Sequence, residues 1–233
     1  MQGNSIKIAH HGAVNGVTGS CHELHLNAKN SILIDCGLFQ GAETSPNGSS
    51  FEQLKIDFPI KQVQALVVTH CHIDHVGRIP YLLAAGFKGK IYCSEPTAQL
   101  LPLVLEDAIK IGFTKDKALV EKFLTLIQTR IVALPYKQWQ AIPLLNTSQI
   151  IRIKLQPAGH ILGSAYVECD FNKQRIVFSG DLGASYTPLL PSPKSPYKGD
   201  ILVLESTYGD KNHENRKVRR KQLKSVIEKC FTN

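Results

Sequence analysis

The chain has 233 residues, 43% hydrophobic and 20% charged, which suits one folded domain plus a fragment of another and argues against disorder as the dominant state. No apolar run reaches the ~18 residues a membrane helix needs, and residues 1–10 lack a basic segment followed by an apolar stretch, so the reading is cytoplasmic with no membrane partner. The net charge is +8, and most of the excess sits between Lys211 and Lys224, where seven basic residues face Glu214 alone.

Short β-rich runs at 31–35, 65–69, 90–93, 150–155, 175–179 and 200–204 read as strands, several apolar on both faces as in a layered α/β or α+β domain. Helical patterns cover 77–85, 95–111 and 116–129, with Gly112 as a stop and Asp116 as a cap. Residues 41–50 form a polar Gly/Pro/Ser loop, and 188–199 an extended surface loop. The segment 212–231 carries Val218, Leu223, Val226 and Ile227 at mostly helical spacing. Its basic residues suit either a solvated helix face or contact with nucleic acid, and Lys211, Arg216, Arg219 and Arg220 are the candidates for the latter. The six cysteines include no C-x-x-C pair. That excludes a zinc ribbon, and most of them read as small buried hydrophobes in a reducing compartment.

The chemistry gathers after the strand at 65–69. His70, His72, Asp74 and His75 place four potential metal ligands within six residues, at a strand end whose turn can aim them into one pocket. Imidazole with carboxylate suits zinc or a similar divalent ion. A helix beginning near 76–77 would offer its N-terminal end to anions. Two further strand ends lead into Gly159-His160 and Gly180-Asp181. Asp35 and Glu205 also end strands, and Asp35 is a candidate to hold a ligand histidine by its free N–H. For His10 and His11, beside the Gly-rich stretch 12–19, ordinary surface or structural roles are preferred over lining the pocket.

These residues carry a resemblance. His70-Cys71-His72-Ile73-Asp74-His75 resembles the H-x-H-x-D-H motif of the metallo-β-lactamase superfamily. The segments from Gly159 to Ala165, Phe178 to Gly183 and Leu204 to Asp210 are similar to those of its β-CASP branch, above all to ribonucleases related to the nuclease subunit of the cleavage and polyadenylation specificity factor. The resemblance implies an α+β fold with four αββα layers, incomplete at the C-terminus. Residues 1–205 would form the lactamase-like domain and 206–233 the start of a β-CASP domain. It also implies two zinc ions. His70, His72 and His160 would hold the first, Asp74 and His75 the second, and Asp181 would bridge. Asp74, Asp35 and Glu205 would serve catalysis, Asp35 as the support of a ligand.

The implied activity is hydrolysis of RNA phosphodiesters, internally or from the 5′ end, by a hydroxide shared between the zinc ions, with Asp74 orienting it or taking its proton. The resemblance implies a further ligand histidine in the segment that follows the β-CASP insertion, and a substrate-facing histidine within the insertion. Here the only histidine after Asp181 is His213. The expectation is therefore an N-terminal part, weak or inactive alone, with exposed apolar surface and a sheet edge that a C-terminal half or a second copy would cover. The alternatives are a thioester or lactone hydrolase of the same superfamily and a non-catalytic RNA-processing partner. The segment 205–210 and the basic run argue against the first, and the intact cluster against the second.

Overall fold

The computed structural model describes residues 6–40, 54–112, 114–185, 187–212 and 218–232. The loop read at 41–50 lies outside them, as do His213 and Arg216. Two sheets are stacked. The first has six strands in chain order, β1 (Lys7–His10), β2 (His22–Asn27), β3 (Asn30–Ile34), β4 (Val63–Val67), β5 (Lys90–Ser94) and β6 (Ile131–Leu134). It is antiparallel from β1 to β3 and parallel from β3 to β6. The second runs β11-β10-β9-β8-β7, built from β7 (Trp139–Pro143), β8 (Ile150–Pro157), β9 (Ala165–Phe171), β10 (Gln174–Phe178) and β11 (Ile201–Val203).

Strand alternation divides the apolar residues between two cores. On β3 and β4, Leu33 and Leu66 face the helices, where they meet Leu82, Leu101 and Ile127. Ile32, Ile34 and Val67 face the second sheet and meet Ile153, Val167 and Phe178. Each such fully buried side chain contributes ~1.5–3 kcal/mol by leaving water. The helical layer comprises α1 (Ile73–Val76), α2 (Ile79–Ala84), α3 (Glu95–Gly112) and α4 (Lys117–Arg130). Asp116 caps α4, accepting the N–H groups of Ala118 at 2.8 Å and Leu119 at 3.2 Å. The helix read over 77–85 is α2, and the shorter α1 precedes it. The chain breaks at Gly77 and Arg78, and Pro80 sits in the first turn of α2, where its missing N–H is harmless.

This is the layered α+β arrangement the resemblance implies, with three of its layers among the described residues. The outer face of the second sheet is charged. Glu168 is fully buried there and binds Lys154 at 2.8 Å and Arg175 at 2.8 Å. The cations of Arg152, Lys154 and Arg175 lie 4.5–5.4 Å from the Trp139 ring. Apolar side chains are exposed at several places among the described residues. Leu202 and Leu204, on and beside the edge strand β11, are more than half exposed. On α5 (Arg219–Thr232), Leu223, Val226 and Phe231 face solvent. No helix among the described residues is long and apolar enough to cross a membrane.

Candidate metal centre

Asp35 follows β3 in a left-handed backbone conformation, φ +60°, which short polar side chains tolerate best. Its buried carboxylate accepts the Thr69 N–H and the Thr69 hydroxyl, each at 2.8 Å, and the Nδ1–H of His75 at 2.7 Å. Having given its proton to Asp35, the Thr69 hydroxyl accepts the Nδ1–H of His70 at 3.0 Å. These partners place a proton on Nδ1 of both rings and turn both Nε2 atoms outward.

Four side chains converge there. His72 Nδ1 stands 3.1 Å from His70 Nε2 and 3.1 Å from His160 Nε2. Asp181 Oδ2 lies 3.7 Å from His70 Nε2 and 3.4 Å from His160 Nε2. One donor atom from each of His70, His72, His160 and Asp181 falls within 4.8 Å of the others. The second Asp181 oxygen, Oδ1, lies 3.2 Å from His75 Nε2, and Asp74 Oδ2 stands 3.9 Å from the same nitrogen. Three imidazole nitrogens and a carboxylate are the donor set of a zinc-type divalent cation, so the residues present fit a metal.

The electrostatics agree. Burial pushes His70 down to about 2, so the ring is a neutral donor. Burial also lowers His72, helped by neighbouring His160. Burial opposes a charge on His75, but Asp35 and Asp181 overcome it and raise that ring to about 10. Burial would raise Asp181, yet its bond to His75 and the surrounding rings bring it to about 2. The pocket thus gathers positive charge between two carboxylates.

The local chain explains how these groups are placed. A Cβ at Gly37 would stand 1.6 Å from the Asp74 carbonyl oxygen, so only glycine lets the Asp74 turn lie against β3. That same carbonyl accepts the Ser20 N–H at 2.9 Å. His160 rides on the loop between β8 and β9. Gly159 adopts φ +70° there, and Ser164 Oγ accepts the N–H groups of His160 at 3.0 Å and Ile161 at 3.2 Å. Ser94 and Thr97 donate to the Gly163 carbonyl at 2.6 and 3.0 Å, fastening the loop to the first sheet and α3. Glu205 accepts the Leu182 N–H at 2.6 Å and the Thr207 hydroxyl at 3.1 Å, which holds the Asp181 turn.

The residues read from sequence as ligands, His70, His72, Asp74, His75, His160 and Asp181, therefore meet at the carboxyl ends of strands from both sheets. Asp35 and Glu205 meet them through hydrogen bonds, Asp35 to His75 and Glu205 to the Leu182 backbone. A four-residue helical turn, Ile73–Val76, lies inside the motif, begun by the turn bonds 75→72 and 76→72. Asp74 and His75 are therefore helical, and the helix read from 77 begins two residues later, at Ile79. Of His10 and His11, only His10 lines the adjoining cavity of about 310 Å³, together with His22, His75, Asp181 and Glu205. His11 binds Glu23 at 2.9 Å and stacks on Phe58. Thr69 and Ser164 were missed by sequence reasoning. The hydroxyl directly before His70 was the one available signal. Lys211, Arg219 and Arg220 are exposed.

The comparisons with known proteins agree with this geometry. The family model of the metallo-β-lactamase superfamily matches residues 16–226, and the chain belongs to that superfamily. Ribonuclease TTHA0252 of Thermus thermophilus is 34% identical over 97% of the chain and 49% of its own length. Endoribonuclease YSH1 of Gibberella zeae is 31% identical over 93% and 26%. Transcription termination factor FttA of Methanothermobacter thermautotrophicus is 31% identical over 94% and 34%. These relatives fit the β-CASP branch, and the chain corresponds to their N-terminal part, about half their length or less. A solved structure of a protein of unknown function from Enterococcus faecalis shares the fold, with a TM-score of 0.53 at 18% identity over 76% of this chain and 43% of that one.

Proposed function

We propose that this chain carries the metal-binding half of a zinc-dependent phosphodiester hydrolase acting on RNA. The observation that carries the reading is the Asp181 carboxylate. Oδ2 faces His70 and His160 at 3.7 and 3.4 Å, and Oδ1 faces His75 at 3.2 Å. A carboxylate so shared suits two ions, one held by His70, His72 and His160, the other by Asp74 and His75. When bound, such ions supply charge to a phosphoryl oxygen and activate the attacking water.

The chain's own residues do the rest. Asp74, partly exposed beside His75, orients the water or takes its proton. Asp35 and Thr69 fix the ring tautomers, so that His70 and His75 present Nε2. Glu205 holds the turn that carries Asp181. Lys211, Arg216, Arg219 and Arg220 supply sequence-independent attraction to the RNA backbone. Residues 1–205 form the lactamase-like domain and 206–233 open a second one, a division supported by the solvent-facing α5. A further segment or a second copy covers the edge at β11. Given the share of its relatives that the chain spans, the 233 residues alone turn RNA over weakly.

The test is cleavage of an end-labelled RNA by the metal-loaded chain, with His72→Ala and Asp74→Asn as controls. Products ending in a 3′ hydroxyl, lost in both variants and on chelation, support the reading. A metal-loaded chain that hydrolyses thioesters or lactones and leaves RNA intact would replace it with the small-molecule alternative.

A further inference from the structure

A second set of imidazoles stands apart from the cluster. His10 ends β1 and His22 begins β2, and the two are direct partners in the antiparallel ladder. The next pair is joined by a backbone bond, His11 N–H to Cys21 O at 2.8 Å. His10 and His22 therefore occupy the position between ladder bonds, where facing side chains come closest, ~4.5 Å between Cα atoms. Their Nδ1 atoms are 2.9 Å apart. The rings cross at 79° with centroids 4.9 Å apart.

That geometry repeats the cluster's own. His70 and His72 cross at 72° and 4.7 Å, and His72 and His160 at 89° and 4.8 Å. The His10 and His22 Nδ1 atoms are 2.9 Å apart, close to the 3.1 Å between nitrogens in the cluster, a spacing at which two imidazoles can share a metal. We propose that His10 and His22 form a separate two-histidine site for a divalent transition-metal cation.

A cross-strand pair held by the ladder is already placed, so little side-chain freedom is lost on binding. Two protein nitrogens leave coordination positions open. They face the cavity of about 310 Å³, whose other walls include the carboxylates of Asp35, Asp181 and Glu205. Those carboxylates favour a cation there, and the open positions suit water or an anionic oxygen. The site stands whether or not the substrate is RNA. The simpler arrangement, a single N–H···N bond between the rings, accounts for the distance but predicts no response to metal.

The test is a zinc titration of the metal-free full chain, followed through the ring nitrogens of 15N-histidine-labelled protein. The His70 cluster signals serve as an internal control. The expected result is a distinct shift of the His10 and His22 Nδ1 signals, and one bound equivalent fewer in His10→Gln than in the unmodified chain. His10 lies at the surface, so this variant keeps the fold, and the unchanged cluster signals verify it. Cluster signals that shift while those of His10 and His22 stay fixed, or equal binding in His10→Gln, would overturn the proposal.

Discussion

The Asp35 carboxylate and the His75 ring meet at 2.7 Å, Oδ2 to Nδ1, with Asp35 almost wholly buried. That bond makes the residue just after β3 the orienting partner of a ring six residues beyond Thr69. Removing the carboxylate leaves the His75 Nδ1–H and the Thr69 N–H without partners in a dry setting, at about 1–3 kcal/mol each. Asp35→Ala is expected to lower the melting temperature and weaken metal binding by roughly 10–100-fold. Thermal unfolding and competition with a chelating dye measure both. Unchanged metal affinity would remove Asp35 from the orienting role.

Thr69 separates orientation from packing. Thr69→Val keeps the shape but loses the hydroxyl between Asp35 and His70 Nδ1, so His70 is free to present the wrong tautomer. Metal affinity should fall about 10–100-fold, and Thr69→Ser should restore most of it. A valine variant that binds like the parent would show that the hydroxyl plays no part.

Gly37→Ala places a methyl group against the Asp74 carbonyl, 1.6 Å from its oxygen. The Asp74 turn must move off β3, breaking its bond to the Ser20 N–H. Destabilisation of about 1–3 kcal/mol is expected, as for other forced overpacking, together with weaker metal binding. Urea unfolding and elemental analysis of bound metal report the two effects.

Glu23 gives a pH signature away from the site. Burial alone would raise its pKa, but hydrogen bonds from His11, Ser31 and Gln62 and the nearby His25 hold the carboxyl below its usual range. Its folded pKa lies below the unfolded one, so the unfolded chain takes up the proton first. The stabilisation is complete above the unfolded value of ~4.3 and is lost as pH falls through the depressed folded value. Urea midpoints measured from neutral pH down through the carboxylate range should therefore fall more steeply for the parent than for Glu23→Gln. Parallel slopes would contradict the assignment.

The parts legible in the sequence share one property, a pattern confined to a few consecutive residues. The strand at 90–93 and the helix at 95–111 match Lys90–Ser94 and Glu95–Gly112, because an apolar run and a helical period declare themselves locally. The grouping of His70, His72, Asp74 and His75 was legible for the same reason. β2 and β7 were not, since His22-Glu-Leu-His-Leu-Asn27 and Trp139-Gln-Ala-Ile-Pro143 mix polar residues into strands. β9 hid behind Glu168 and Asp170, whose charges are answered by Arg175, Lys154 and Arg152 from neighbouring strands. The role of Thr69 depends on Asp35, thirty-four residues earlier, and only the folded chain brings them together.

The side chains proposed to hold metal come from both sheets, His70 to His75 following β4 of the first, His160 and Asp181 following β8 and β10 of the second. An ion at this place is a rivet through the seam of the sandwich. It resists any sliding of one layer over the other, and its grip scales with occupancy, about 2.7 kcal/mol at a hundredfold excess over Kd. Chelation should therefore act far from the site, loosening the Ile34–Phe178 interface between the layers and speeding amide exchange in strands that touch no ligand.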